Sequence, residues 1–461
     1  MAVLSAAVLV LIAAPGCRRG EVGARLASVA SPPASFLWMG ALTPTSVEVV
    51  AGLPGGSPPA RLVVGRDSAL EEVAWRSPLI RPPEGGRPAR IPVRGLEPDT
   101  RYYFAFVGGD GDRRGRGGTF RTPGVGAFSY RIAISSCAST GSSRPVFDAI
   151  RESDPLLFLH VGDAHYEDVA TANPAAFRRA WRRILRAPAQ ARLYRSTPIA
   201  YVWDDHDYGP NNSSRTAPGQ EAVRLVYREM VPHYPLPDDA VGGANAPIYQ
   251  AFTIGRVRYI LTDLRSERDP AGFGDADERT MLGPTQKAWF FEELRRAKGR
   301  YPLIVWVSSV PWIGPPQARS DRWSGYPGER REIATFLRDE GIRNLVIVSG
   351  DAHMVAIDDG SNADYAVGGG APTPVIQAAP LDRPGSFKGG PYSEGVFVND
   401  VAYPWNGQWV QMDVEDDGGD EVCATWTGYR TSWARRTTTP LLTWSQCFRS
   451  APAEVELAQA E

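Results

Sequence analysis

The sequence predicts an α/β core preceded by an all-β segment. Residues 36–122 alternate in the two-residue period of strands. From Phe128 onward the pattern changes to short apolar runs alternating with amphipathic helical segments, which argues for mixed central sheets flanked by helices. Several of those apolar runs end in Asp, His or Cys, the place where an α/β sheet presents its chemistry. With 461 residues, 43% hydrophobic and 22% charged, the chain is long enough for two or three domains and is ordinary for a globular protein. A formal net charge of −2 speaks against nucleic-acid binding. Arginine is abundant and lysine almost absent, which we read as base composition of the gene.

The chain opens on an apolar run, residues 2–16, followed by Cys17 and two arginines. The run is shorter than the roughly 20 residues of a membrane-spanning helix. It has the form of the hydrophobic region of a secretory signal. Ala14, Pro15, Gly16 and Cys17 resemble the end of a bacterial lipoprotein signal, with Cys17 as the lipidated residue. Pro15, and the lack of a basic residue before the run, depart from that pattern, and a plainly cleaved signal peptide is the alternative. Either reading takes residues 1–17 as a signal and the protein as exported, periplasmic or at the cell surface. With lipidation it is anchored to the membrane. Residues 18–35 read as a linker.

Residues 36–123 hold six strand-like runs, punctuated by Pro44, Gly55, Gly56, Pro83, Gly85, Gly86, Gly108 and Gly109. The segment VRGLEPDTRYYFAFV followed by GGTFRTP resembles fibronectin type III domains, with Tyr102 or Tyr103 as the buried tyrosine. No chemical cluster lies in this segment.

Residues 124–448 form the core. Strands are expected at 130–137, 154–163, 197–205, 302–312 and 343–353, and a hairpin at 248–265 turning at Gly255. Helices are expected at 144–153, 174–188, 220–231, 283–298 and 328–341. In the second of these Phe177, Trp181 and Leu185 share a face at four-residue spacing. Residues 359–403 are Gly- and Pro-rich, with room for short strands and active-site loops. Strands return at 408–415, 421–428 and 441–447. Cys423 and Cys447 flank this segment and can form a disulfide in an oxidising compartment. Residues 449–461 read as a flexible tail.

Four strand ends carry similar cargo: Ser135–Ser136–Cys137, Gly162–Asp163–Ala164–His165, Asp204 to Asp207, and Gly350–Asp351–Ala352–His353. Carboxylate, imidazole and thiolate are metal-ligand types, and the mixture suits a transition metal beside a harder cation. Glycine before Asp163 and Asp351 permits a sharp turn and close approach. Each residue also has a structural alternative. Cys137 can be a buried thiol, Asp163 a helix cap, and Asp205 with His206 a surface ion pair. His160 reads as a satisfied core histidine and His233 as exposed. His165 is either a ligand, a substrate contact or neither. Asp263, Arg265 and Arg268 either line the pocket, with an arginine reading substrate phosphate, or form a salt-bridged hairpin end.

The ordered series SSC, HVGDAHYED, VWDDHDYGPN, LTDLRSERD, SSVPW and SGDAH resembles the PhoD-like alkaline phosphatases, within the calcineurin-like metallophosphoesterase superfamily. The resemblance implies an α/β metallophosphoesterase core behind a fibronectin III-like sandwich. It implies Cys137, Asp163, Asp205, Asp351 and His353 as metal ligands, with Asp163 bridging. It implies His206 and Asp205 as catalytic, with His206 near the leaving group. Asp204, Asp207, His165, Tyr166, Asn211 and Arg265 would support the site or the substrate. The implied cofactors are Fe(3+) and Ca(2+), or other divalent metals in their place. Three departures stand out. Ala164 follows Gly-Asp where an aromatic residue is usual, Ser308 or Ser309 falls where the superfamily has a lone metal-binding histidine, and Phe177 lies near a position that is tyrosine in some members.

The expected function is hydrolysis of small-molecule or lipid phosphate esters by an exported two-metal phosphatase. The alternatives are a phosphodiesterase or phospholipase D-like hydrolase on surface lipids or polymers, and a non-catalytic surface binding protein.

Overall fold

The structure, a computed structural model, describes residues 34–108, 111, 113–237, 246–400 and 406–450. The signal and lipidation expectations, Cys17 included, and nearly all of the linker and tail lie outside the described residues.

The N-terminal segment contributes seven strands: β1 (Phe36–Thr43), β2 (Ser46–Gly52), β3 (Ala60–Gly65), β4 (Val73–Arg76), β5 (Ala89–Arg94), β6 (Arg101–Gly108) and β7 (Arg113–Arg121). They divide between two sheets. β1, β2 and β5 are antiparallel neighbours, and β4-β3-β6-β7 form a separate four-stranded sheet. Tyr102, buried at the start of β6, stacks on Phe120 and accepts a hydrogen bond from the Glu97 backbone N–H at 2.9 Å. That bond ties the strand to the turn before it. β1 also pairs in parallel with a core strand through Gly40 and Ile199, so three N-terminal strands extend a core sheet. A Cβ at Gly40 would lie 2.3 Å from the Ile199 carbonyl oxygen, so only glycine allows the two strands this close.

The core begins with β8 (Tyr130–Ser135), α1 (Pro145–Glu152), β9 (Leu157–Val161), α2 (Pro174–Arg186), α3 (Pro188–Ser196), β10 (Ile199–Val202), α4 (Asp205–Tyr208) and α5 (Gln220–Met230). β11 (Gln250–Ile254) and β12 (Val257–Leu261) form the hairpin turning at Gly255. After them come α6 (Gly283–Lys298), β13 (Leu303–Ser308), α7 (Pro327–Asp339), β14 (Leu345–Ser349), β15 (Met354–Asp358), β16 (Val375–Ala378) and β17 (Val396–Val398). The last strands are β18 (Asn406–Glu415), β19 (Glu421–Ser432) and β20 (Thr438–Arg449). Cys423 and Cys447 are bonded as a disulfide between β19 and β20.

The strands form a nine-stranded sheet in the order β20-β19-β18-β8-β9-β10-β1-β2-β5 and a seven-stranded sheet in the order β11-β12-β13-β14-β16-β15-β17. Both are mixed. β8, β9 and β10 are mutually parallel, as are β12, β13, β14 and β16. One hydrophobic core lies between the sheets, joining Ile132, Phe158 and Val202 to Val305, Val307, Val346 and Val348. β13 is apolar on both sides, because Ile304 and Trp306 face a second core under α6 and α7 with Phe290, Leu294, Ile333 and Leu337. Such runs mark strands buried on both faces.

Sequence periodicity missed β4, α3 and α4. α3 begins with Pro188, directly after α2, and a proline that opens a new helix reads in sequence as the end of the old one. α4 is a single turn, too short to show a period.

Candidate metal centre

β8, β9 and β10 end side by side at one edge of the nine-stranded sheet, and β14 brings the end of the other sheet to the same place. The two sheets touch at Gly350. A Cβ there would lie 2.5 Å from the Val161 carbonyl oxygen and 2.9 Å from Ser136 Oγ. Past the strand ends the backbone is forced into the left-handed region at Cys137 (φ 61°), Asp163 (φ 56°), Asp351 (φ 60°) and His353 (φ 52°). Each such non-glycine conformation costs on the order of 1 kcal/mol or more, and four of them gather at these strand ends.

Two groups of side-chain donors result. Cys137, Asp163 and His353 form one, and Asp163, Asp205 and His206 the other. Within each group the donor atoms all lie within 4.8 Å of one another, and Asp163 belongs to both. Asp163 Oδ2 accepts from the Tyr166 hydroxyl at 2.9 Å and lies 3.7 Å from Cys137 Sγ, while its Oδ1 is buried with no partner. The Tyr166 hydroxyl also sits 3.0 Å from His353 Nε2 and so belongs with the first group.

Supporting residues orient these donors. His353 Nδ1 lies 2.7 Å from the Pro384 carbonyl oxygen. Only a protonated Nδ1 can bond there, which leaves Nε2 with the lone pair. Burial, then the Lys388 charge, pushes His353 down to about 3, so the ring is neutral. His206 Nδ1 lies 2.6 Å from Asp168 Oδ1, and its ring packs on Tyr166 with centroids 4.0 Å apart. Asp205 accepts from the backbone N–H groups of His206 and Asn212. Burial opposes its charge, but Arg265 and His206 hold its carboxyl below the usual range.

A cation fits this donor set. Burial raises the Asp163 carboxyl well above its ordinary value, and the charges of Asp205, Asp204, Asp207 and Asp351 raise it further. Burial and then Asp163 push the Cys137 thiol up in the same way. The orphaned Asp163 Oδ1 and a sulfur–oxygen–nitrogen donor set are what a transition-metal site requires.

Several sequence expectations meet a different arrangement. Asp351, expected as a ligand, is ion-paired to Lys388 and belongs to neither donor group; its Oδ2 is buried without a partner. Arg265, expected to support the site or read phosphate, is fully buried. It is bonded through Nε to Asp204 Oδ1 at 2.6 Å and through Nη1 to the Ser213 carbonyl. Arg268 is likewise buried against Tyr326, and Asp263 is held by Trp203, Ser266 and backbone N–H groups. Asn211 is exposed, and its neighbour Asn212 makes the bond to Asp205. His165 is buried with its ring edge-on to Trp181 and is in neither donor group. Asp204 and Asp207 act as supports. Asp204 anchors Arg265 and Ser309, while Asp207 accepts from the backbone of Asp204 and His165. Ser308 links β13 to Trp323. Phe177 is core. His160 is buried but not satisfied, since neither ring nitrogen has a partner. His233 is half-buried against Tyr227 rather than exposed.

Sequence reasoning also missed Asp168, Asp321, Arg383 and Lys388. Asp321 lies 3.7 Å from the Arg265 guanidinium. Lys388 had a signal: it is one of only three lysines in the chain.

The sequence profile of the PhoD-like phosphatases matches residues 132–376, more than half the chain and all four strand ends. This chain belongs to the PhoD-like phosphatase family. Alkaline phosphatase D of Bacillus subtilis (strain 168) is 24% identical over 347 residues, 66% of this chain and 59% of that protein. Purple acid phosphatase 23 of Arabidopsis thaliana is 22% identical over 286 residues, 57% of this chain and 55% of that protein. The matches thus span less than two thirds of these relatives' length. A solved structure described as that of PhoD superposes with a TM-score of 0.70 at 16% identity, over 93% of this chain and 94% of that one. The mixed sheets and flanking helices are therefore the PhoD fold.

Proposed function

We propose that this protein is a metal-dependent phosphoric ester hydrolase with a two-metal centre. The observation that carries the proposal is the sharing of Asp163 by two donor groups, the arrangement a bridging carboxylate needs. Cys137, Asp163 and His353, with the Tyr166 hydroxyl, would hold one ion, and Asp163 and Asp205 the other, with His206 beside that second pair. Fe(3+) suits the first set, which contains sulfur and phenol, and a harder ion such as Ca(2+) or another divalent metal suits the second. Such ions supply a nucleophile at neutral pH and neutralise charge on the phosphoryl oxygens. His206, fixed through Nδ1 by Asp168, presents Nε2 as the group that assists the leaving oxygen. Lys388 keeps Asp351 compensated at the rim.

Elemental analysis of protein purified without chelators tests the centre, and turnover of p-nitrophenyl phosphate against bis-p-nitrophenyl phosphate separates monoesterase from diesterase action. Two metal equivalents with turnover of either ester are expected. A protein that binds no metal would be a non-catalytic binding protein instead. His206→Ala should lower kcat by about 100- to 10,000-fold with metal retained; unchanged turnover removes the assigned role.

We further propose export, with attachment to a membrane through a lipid on Cys17. The Cys423–Cys447 disulfide supports it, since such bonds persist in oxidising compartments. Membrane fractionation of Cys17→Ala tests it, and an unchanged distribution would refute the anchor. Residues 36–123 are read as a fibronectin III-like module, a reading supported by the β1-β2-β5 and β4-β3-β6-β7 sheets and the Tyr102 hydroxyl bond.

A further inference from the structure

We infer that Arg383 is the residue that receives the anionic phosphoryl oxygens of the substrate. The inference rests on the hydrolase reading and adds a binding residue to it. Arg383 lies in residues 381–386, a strap threaded across the loops that carry the donors. The Leu381 N–H donates to the Ser136 carbonyl at 2.8 Å, and the Asp382 N–H to the Cys137 carbonyl at 3.4 Å. Asp382 Oδ1 accepts from the Ser139 N–H at 2.6 Å. On the other side, His353 Nδ1 reaches the Pro384 carbonyl, and Ser386 Oγ donates to the Ala352 carbonyl at 2.9 Å. The strap is therefore held on both sides of Arg383 by the donor-bearing loops.

Its guanidinium carbon stands 3.9 Å from the centroid of the Tyr166 ring, whose hydroxyl contacts both Asp163 and His353. Arg383 has no carboxylate partner among the described residues, and its Nε is buried without any hydrogen bond. The other cations at the centre are engaged: Arg265 by Asp204, and Lys388 by Asp351. A planar five-donor fork beside a metal-donor cluster, with no carboxylate partner among the described residues and its Nε without a hydrogen bond, matches the two-oxygen geometry of a phosphoryl group. Because the strap is fixed, little conformational freedom is lost on binding.

The ring contact has a rival meaning, in which Arg383 only packs on Tyr166 and positions it. The test separates the two. In metal-loaded protein, the dissociation constant for inorganic phosphate is measured by calorimetry for wild type, Arg383→Met and Arg383→Lys, with metal content and ester kinetics alongside. For Arg383→Met, phosphate affinity should fall about ten- to a hundredfold with metal content unchanged. KM for p-nitrophenyl phosphate should rise accordingly, and by more than KM for the singly charged bis-p-nitrophenyl phosphate. Arg383→Lys should recover part of the loss, since it keeps the charge without the fork. Phosphate affinity within twofold of wild type in Arg383→Met overturns the inference. So does a loss of affinity that only tracks a loss of metal. Should Arg383→Met fail to fold, Arg383→Lys decides alone, and unchanged phosphate affinity there is the refuting result. Wild-type protein that binds phosphate but hydrolyses no ester would sink the hydrolase reading and leave the anion site standing.

Discussion

Replacing Arg265 by methionine should unfold the protein more readily instead of weakening its hold on a substrate. The guanidinium and the Asp204 carboxylate it bonds are 0% and 1% exposed, so water screens neither. Asp205 at 3.9 Å and Asp321 at 3.7 Å also face the same cation. Methionine keeps the stem volume but leaves Asp204 Oδ1 with Ser309 alone and removes the charge that holds Asp205 ionised. Breaking a buried pair from one side costs about 3–5 kcal/mol, most of it the uncompensated charge left behind. At about 2.1 cal/mol/K per residue over 461 residues, the unfolding entropy is of order 1 kcal/mol/K, so Tm should fall by roughly 3–5 °C. Scanning calorimetry of both proteins at the same metal loading reads this directly. A double-mutant cycle with Asp204→Asn should return part of the loss, because the orphaned charge is then gone. The reasoning is refuted by a Tm within about 1 °C of wild type together with a raised KM. That outcome would make Arg265 a phosphate-reading residue after all.

Asp163→Asn should abolish binding of both metals, whereas Cys137→Ser and Asp205→Asn should each remove one, read as metal equivalents per chain; loss of a single equivalent in Asp163→Asn would contradict a shared carboxylate. Burial holds His160 down to about 3 against an ordinary 6.5. The unfolded chain therefore takes up a proton between those values that the folded one refuses. Its contribution to stability is complete above pH of about 6.5 and is lost at up to ~1.4 kcal/mol per pH unit as pH falls toward 3. Urea midpoints across that window should lose about one proton's worth of slope in His160→Leu, and an unchanged slope would show that His160 does not titrate in this way. Reducing the Cys423–Cys447 bond, which closes a loop of 24 residues, should cost about 3 kcal/mol without altering kcat, because the bond lies between β19 and β20 at the sheet edge, outside the donor groups. A fall in kcat on reduction would place that edge in the working site.

Much of the architecture was legible because its signals are local. β13 and β14 announce themselves as short apolar runs, and α2 as Phe177, Trp181 and Leu185 on one face. Elements without a period could not be placed, among them the one-turn α4, the short strand β15, and β16 and β17 within the Gly- and Pro-rich region, which showed only room for short strands. The site divides along the same line. Cys137, Asp163, Asp205, His206 and His353 each follow a strand that can be read in sequence. Asp168 closes the HVGDAHYED segment without a role visible there, Arg383 and Lys388 follow no such strand, and only contacts mark all three.

The sequence alone determined which residue types the strand ends deliver, since a strand's termination and the side chains after it are written in adjacent positions. It could not determine which charges would meet. Asp351 and Lys388, or Asp204 and Arg265, are separated by 37 and 61 positions, and either cation carries the charge to bind a phosphate. Packing the two sheets against each other at Gly350 decided it. Desolvation buried Arg265 with a carboxylate, engaged Lys388 with Asp351, and left Arg383 stacked on Tyr166 beside the donors with no carboxylate partner among the described residues. Burial and pairing are properties of the closed core, where an unpaired charge is costly, and no local stretch of chain encodes them.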